Sequence, residues 1–186
     1  GVNIFLLFGL SIIAIISLAY LIMYVPKFDY IQGRIFSFFN RDTGTHNFQS
    51  DKAIESITSG GFFGKGIGEG TLKSRVPEAH TDYIISVISE EFGVVAIILI
   101  LLLFLIFIYM VFKKINFEKD DKIKLVLIGC VSLILMQATI HIGVNIRLFP
   151  TTGMTLPFLS YGGSSIVSIS ILSGIILNLT KRKIEN

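Results

Sequence analysis

Four long apolar blocks constrain the fold of this chain more than any other feature. They cover residues 2–25, 92–112, 123–146 and 156–179, and each approaches or exceeds the roughly 18–20 residues that a helix needs to cross lipid. Hydrophobic residues make up 52% of the chain and charged residues 16%, which is typical of a membrane protein. Backbone groups in lipid must bond within their own segment, so each block is predicted to be a transmembrane helix.

The positions of the basic residues predict how these helices are oriented. Lysines fill the short link after the second block, and basic residues follow the fourth block: Lys113, Lys114, Lys119, Lys122, Lys124, Lys181, Arg182 and Lys183. Such segments normally stay in the cytoplasm. The segment 26–91 is then extracytoplasmic, and its apolar residues indicate short helices along the membrane surface. We therefore expect one all-α multi-pass membrane domain with four spans and a large outer loop containing short helices.

A glycine-rich run at 60–70 resembles a nucleotide-binding loop but fails both tests for one. A P-loop needs Ser or Thr where Gly66 stands, and the dinucleotide fingerprint needs a glycine where Glu69 stands. Two interpretations remain: a tightly turned backbone, or a backbone that approaches a ligand, with Lys65 and Lys73 nearby to meet phosphate.

The net charge of +3 does not indicate a nucleic-acid partner. The excess of Lys and Arg is explained by the enrichment of these residues in the cytoplasmic segments of membrane proteins. The basic residues also form no stripe with aromatic residues between them, so we expect no nucleic-acid partner.

The segment 77–83 places a carboxylate, a histidine and a threonine beside the second span. Thr81 is predicted to cap the helix that runs into this span, which puts Asp82 in the first helical turn. Glu90 would then share a face with Asp82 about 12 Å away along the axis, too far for the paired carboxylates of a glycosidase. Asp82 is thus a candidate single catalytic carboxylate, with a purely structural role at the helix start as the alternative.

Polar residues recur inside the third predicted span. Gln137, His141 and Asn145 are spaced four apart and form one stripe on the helix. Such a stripe faces a watery cavity or bonds to neighbouring helices. No second metal-binding side chain lies near His141 in the sequence, so we expect no structural metal. The run 149–165, with two prolines and three glycines, predicts irregular backbone that lines a cavity or is buried in protein.

Together these motifs resemble the SEDS family of shape, elongation, division and sporulation proteins (FtsW, RodA and SpoVE), and within it the FtsW branch. The matching positions are Gln49, Ala53-Ile54, 59–61, 64–70, Lys73, 77–82, 90–93, Gln137-Ala138 and 150–165. Members of this family have ten membrane spans. The resemblance therefore implies that this chain is the C-terminal part of such a protein, with spans seven to ten.

The resemblance also implies an activity, namely that of a peptidoglycan glycosyltransferase that polymerises lipid II during septal wall synthesis and cell division. Its partners would be lipid II, a class B, FtsI-like penicillin-binding protein and other divisome membrane proteins, at the septum of the bacterial cytoplasmic membrane. Whether a divalent cation, Mg²⁺ or Mn²⁺, binds at the diphosphate is left open. The chain by itself is expected to be inactive. A lipid II flippase and a non-catalytic divisome scaffold are the alternatives.

By the same resemblance, Asp82 matches the outer-loop aspartate that is taken as catalytic in the family. It would be the general base that removes the proton from the 4-hydroxyl of the acceptor sugar. The charges of Lys65, Lys73 and Arg147 make them candidates to hold the diphosphate. The other candidate substrate-binding residues are His80, Thr81, Glu90, Gln137, His141, Ser160 and Ser164.

Overall fold

The computed structural model describes residues 4–39, 45–76 and 78–181, and the secondary structure of these ranges is helical. The elements are α1 (Ile4–Tyr24), a 3₁₀ turn (Pro26–Phe28), α2 (Asp29–Phe39), α3 (Thr45–Gly60), α4 (Leu72–Arg75), α5 (Ile84–Phe117), α6 (Asp121–Asn145) and α7 (Gly163–Thr180). Within the described ranges, α5, α6 and α7 are each long and apolar enough to cross a membrane. The prediction of an all-α membrane fold is confirmed.

The described residues form two compact units, one up to Asn47 and one from Phe48 onward. In the first unit the chain bends by 91° between Phe8–Tyr24 and Pro26–Phe39, and the two pieces make a fourth candidate span if they are counted as one. The bend falls at Pro26, which lacks the N–H that would continue the helix. Helices α2, α3 and α4 are the short helices expected within 26–91.

In the second unit, α5, α6 and α7 pack against one another through a buried apolar cluster. Its members are Val111, Ile115, Leu127, Cys130, Val131, Ile134, Ile169 and Ile176. Between positions 94 and 110, by contrast, no residue of α5 is buried, although nearly all are apolar. A large apolar surface that is left uncovered marks a face for lipid or for another membrane helix.

A second apolar cluster joins the short helices α3 and α4 to the ends of the long helices α5 and α6. It contains Ala53, Leu72, Val76, Ala79, Tyr83, Val87 and Val144. These residues come from α3, α4, the turn before α5, the start of α5 and the end of α6. The cluster therefore anchors the turn that carries Asp82 between several helices.

Helix α5 is broken at Gly93, whose φ of 78° and ψ of −179° lie in a region that is essentially reserved for glycine. The N–H groups of Val94 and Val95 therefore lose their helical partners four residues earlier. They donate instead to the C=O groups of Gly61 and Phe62, at 3.0 and 3.3 Å. The second span was predicted to begin at residue 92, beside this break, whereas α5 begins earlier, at Ile84.

The two carbonyls released by the break are satisfied by the same glycine-rich run. The C=O of Glu90 accepts from the N–H of Lys65 at 2.8 Å, and the C=O of Glu91 accepts from the N–H of Gly66 at 3.0 Å. A Cβ added to Gly64 would overlap the Glu91 carbonyl. Of the two interpretations of this run, the structure supports the tightly turned backbone, because the run closes around the helix break.

The chain between α6 and α7 is irregular, as predicted for the run 149–165. Arg147 and Phe158 have positive φ values of 60° and 67°, which are uncommon for residues with a Cβ. Helix α7 begins at Gly163, later than the predicted start of the fourth span at 156, since the turn at Pro157 precedes it. The segment between α6 and α7 contacts the turn before α5 through hydrogen bonds to the C=O groups of His80 and Thr81.

Candidate functional site

The turn before α5 differs from the prediction in how it is capped. Helix α5 begins at Ile84 with Tyr83 as its N-cap, so Asp82 lies before the helix and Thr81 does not cap it. The Thr81 hydroxyl donates to the C=O of Glu78 at 3.1 Å, which occupies it within the turn. The predicted helical spacing between Asp82 and later residues of α5 therefore does not apply.

Asp82 is 9% exposed, so its side chain is turned into the protein. The irregular segment between α6 and α7 lies beside it, because a Cβ built on Gly153 would be 3.8 Å from Asp82 Oδ2. The N–H of Tyr161 donates to the C=O of His80 at 3.1 Å, while His80 itself is exposed. Asp82 thus sits where this segment folds back against the turn.

The carbonyl of Thr81 is held by two side chains. Ser160 Oγ donates to it at 2.8 Å and accepts from the N–H of Leu156 at 2.8 Å. His141 Nε2 lies 3.3 Å from the same oxygen, and since a carbonyl only accepts, this nitrogen carries the proton. His141 and Ser160 are 1% and 6% exposed. Both were predicted to bind substrate, and in this structure both contact the backbone beside Asp82.

Asn145 was not among the residues predicted to bind substrate, but it contacts the backbone of Asp82 directly. It is fully buried, and its Nδ2 donates to the C=O of Asp82 at 2.8 Å and to that of His141 at 2.9 Å. Its Oδ1 accepts from the N–H of Ser86 at 3.2 Å and from Ser86 Oγ at 2.8 Å. The four-residue spacing of the polar stripe was the sequence signal that included it.

Gln137 serves a different junction from the other two residues of the stripe. Its Nε2 donates to the C=O of Thr155 at 2.9 Å and to Ser165 Oγ at 2.9 Å, which ties α6 to the segment entering α7. Ser164 is exposed in the first turn of α7. The stripe as a whole therefore bonds to neighbouring elements, which is the second of its two predicted roles.

The three cations predicted to hold diphosphate each face a carboxylate. The ion pairs are Lys65–Glu90 at 2.8 Å, Lys73–Glu91 at 3.1 Å and Arg147–Asp51. Glu90 is 1% exposed and also accepts from Thr71 Oγ1 at 3.1 Å and from the N–H of Leu72 at 2.9 Å. A diphosphate would have to compete with these carboxylates for the cations.

The second unit contains an apolar groove and a polar cavity near the candidate residues. An apolar groove of about 260 Å³ lies between α5 and the turn at 157–159, and a polar cavity of about 170 Å³ is lined by Lys52, Lys65, Arg75, Glu55 and Glu90, among others. Asp82 lines neither of them. Among the residues that the structure describes, no three His, Cys, Asp or Glu side chains come together as a metal site would require.

We expect Glu90→Gln to lower the free energy of unfolding by about 1–3 kcal/mol, because the buried carboxylate accepts charge-assisted bonds from the glycine-rich run and from the start of α4. Thermal unfolding of the purified full-length protein measures this. The matched control is Glu91→Gln, whose partner Lys73 is 35% exposed and whose loss should cost less than about 1 kcal/mol. Equal losses for the two variants would contradict the structural role of Glu90.

Comparison with known proteins assigns the family. The family model of FtsW, RodA and SpoVE, described as a cell cycle protein, matches residues 1–185. The chain is 34% identical, over 97% of its length, to a probable peptidoglycan glycosyltransferase FtsW of Enterococcus hirae, of which it covers 48%. It is 38% identical, over 84% of its length, to a protein of the same description from Caulobacter vibrioides, of which it covers 40%. The chain thus spans about half the length of the curated relatives it matches.

A solved structure shares the fold. It is described under the words "structural coordination of polymerization and crosslinking by a peptidoglycan synthase complex", and it matches 94% of this chain and 48% of its own with a TM-score of 0.72 and 24% identity. The family match extends over nearly the whole chain, and the membrane-length helices agree with it. This protein is therefore a membrane protein that belongs to the FtsW, RodA and SpoVE family of cell cycle proteins.

Proposed function

We propose that this chain is the C-terminal part of a ten-span peptidoglycan glycosyltransferase of the FtsW branch, which polymerises lipid II. The descriptions of relatives at 34% and 38% identity support this activity. The structural observation that carries the proposal is Asp82, a nearly buried carboxylate whose neighbouring backbone carbonyls are bound by side chains of α6 and of the irregular segment. Positioned carboxylates of this kind serve as general bases.

In the proposed reaction, Asp82 takes a proton from the acceptor sugar. The 4-hydroxyl oxygen of the acceptor forms a bond to the anomeric carbon of the donor, and the bond from that carbon to the diphosphate breaks. Undecaprenyl diphosphate leaves with the electron pair, and the hydroxyl proton passes to the Asp82 carboxylate. One carboxylate is enough for this inverting displacement, because the diphosphate leaves as a stable anion and needs no acid.

The proposal extends to the surroundings of the site. The segment 26–91 would lie on the outer side of the cytoplasmic membrane, and the four apolar blocks would each form one membrane span. Lys65, Lys73 and Arg147 are proposed to exchange their carboxylate partners for the diphosphate. A class B, FtsI-like penicillin-binding protein at the division septum is the proposed partner.

Polymerisation of labelled lipid II by the full-length protein, reconstituted with its penicillin-binding partner, tests this function. We expect glycan polymer from the wild-type protein. Movement of lipid II across vesicle membranes without any polymer would contradict the proposal and support a flippase. The structure offers little for transport, because the polar stripe on α6 is bound to neighbouring backbone and side chains.

A further inference from the structure

We propose that Asn145 is a positioning residue for Asp82, which holds the backbone of Asp82 so that its side chain leaves the turn at a fixed place and in a fixed direction. The inference rests on the proposed role of Asp82 as the general base. Asn145 comes from the last turn of α6 and Asp82 from the turn before α5. Their contact therefore joins the end of one membrane helix to the turn that begins the other.

The chemistry of its neighbours allows the Asn145 amide only one orientation. The N–H of Ser86 only donates, so the amide oxygen must face it, and the C=O of Asp82 only accepts, so the amide nitrogen must face that group. Four hydrogen bonds use both lone pairs of the oxygen and both N–H bonds of the nitrogen. The amide nitrogen also lies 3.5 Å from His141 Nδ1, and because the side chain is fully buried, its hydrogen-bonding groups are all used within the protein.

Asn145 also caps helix α5 from another helix. The N–H of Ser86 belongs to the first turn of α5, where N–H groups lack helical partners. Tyr83, at the N-cap position, makes no side-chain cap, and the Thr81 hydroxyl is used elsewhere. The amide oxygen of Asn145 takes that role, while its nitrogen holds the residue two positions before the helix.

Both carbonyls that flank the Cα of Asp82 are bound. Ser160 and His141 contact the C=O of Thr81, and Asn145 binds the C=O of Asp82 itself. Fixing both peptide groups fixes the backbone angles of Asp82 and hence the direction of its Cα–Cβ bond, from which the carboxylate extends. A shift of about 1 Å in a reacting group costs on the order of 100-fold in rate, so this grip matters for turnover more than for substrate binding.

The experiment measures lipid II polymerisation by the full-length protein with its partner, for Asn145→Asp and Asn145→Ala. Asn145→Asp keeps an acceptor for Ser86 but loses the donor to Asp82. We expect both variants to lose about 30- to 100-fold in kcat, with KM changed less than about threefold. Ser86→Ala removes a bond from the other side of the amide and should cost no more than about threefold.

A double-mutant cycle separates positioning from a general structural role. If Asn145 acts through Asp82, Asn145→Asp should cost less than about threefold in the residual rate of an Asp82→Asn protein. An equal loss in both backgrounds, folded Asn145 variants with near-normal kcat, or failure of both variants to fold would overturn the inference. If Asp82→Asn itself polymerises normally, the proposed base is wrong. If Asp82→Asn is inactive and the Asn145 variants turn over normally, only this inference fails.

Discussion

Replacing Asp82 by asparagine should lower the rate of lipid II polymerisation by about 10²- to 10⁴-fold, the range that a general base contributes. Asparagine keeps the shape of the side chain but cannot take the proton from the acceptor hydroxyl. Because the backbone of Asp82 makes the contacts with Asn145, the variant should still fold and bind the proposed penicillin-binding partner. Initial rates of polymer formation, with partner binding measured in parallel, check this.

Glu78 provides the matched control for this prediction. It is a carboxylate in the same turn, it is exposed, and its backbone carbonyl rather than its side chain accepts the hydrogen bonds of the turn. We expect Glu78→Gln to polymerise within about twofold of the wild-type rate. Normal polymerisation by the Asp82 variant would remove the catalytic role, and normal cell division supported by that variant would favour a scaffold.

Gly93→Ala should destabilise the protein by at least about 3 kcal/mol, or prevent it from folding. The backbone at Gly93 has a φ of 78° that other residues rarely adopt, and an added Cβ would overlap the carbonyl of Phe62 in the glycine-rich run. The clash would push this run away from the helix break and separate the substitute hydrogen bonds. Thermal unfolding of the purified full-length protein, and its yield from membranes, measure the effect.

Gly129→Ala is the control for this glycine. Gly129 lies inside α6, and a Cβ there would meet nothing within 4 Å. Alanine is the better helix former, so we expect no loss and a gain of up to about 1 kcal/mol. Equal unfolding temperatures for the Gly93 and Gly129 variants would show that the helix break does not need glycine.

Several features of this protein were predictable because they depend on short stretches of chain. The apolar blocks have the length that a helix needs to cross lipid, and most of them became helices for that reason. The four-residue spacing of Gln137, His141 and Asn145 placed them on one face of α6. The motif around Asp82 indicated the family, which the comparison over residues 1–185 confirmed.

The partners of these groups were decided only by the tertiary structure. Thr81 has the chemistry of an N-cap, but its hydroxyl binds Glu78, and α5 is capped by Asn145, 59 positions from Ser86. In the sequence, nothing distinguishes Gly93 from other glycines. Its importance appears only in the structure, where the run at 60–70 replaces the helical hydrogen bonds that are lost at Gly93. Local rules describe bonds between residues a few positions apart. A hydrogen bond between distant segments forms only after packing has brought a donor and an acceptor together.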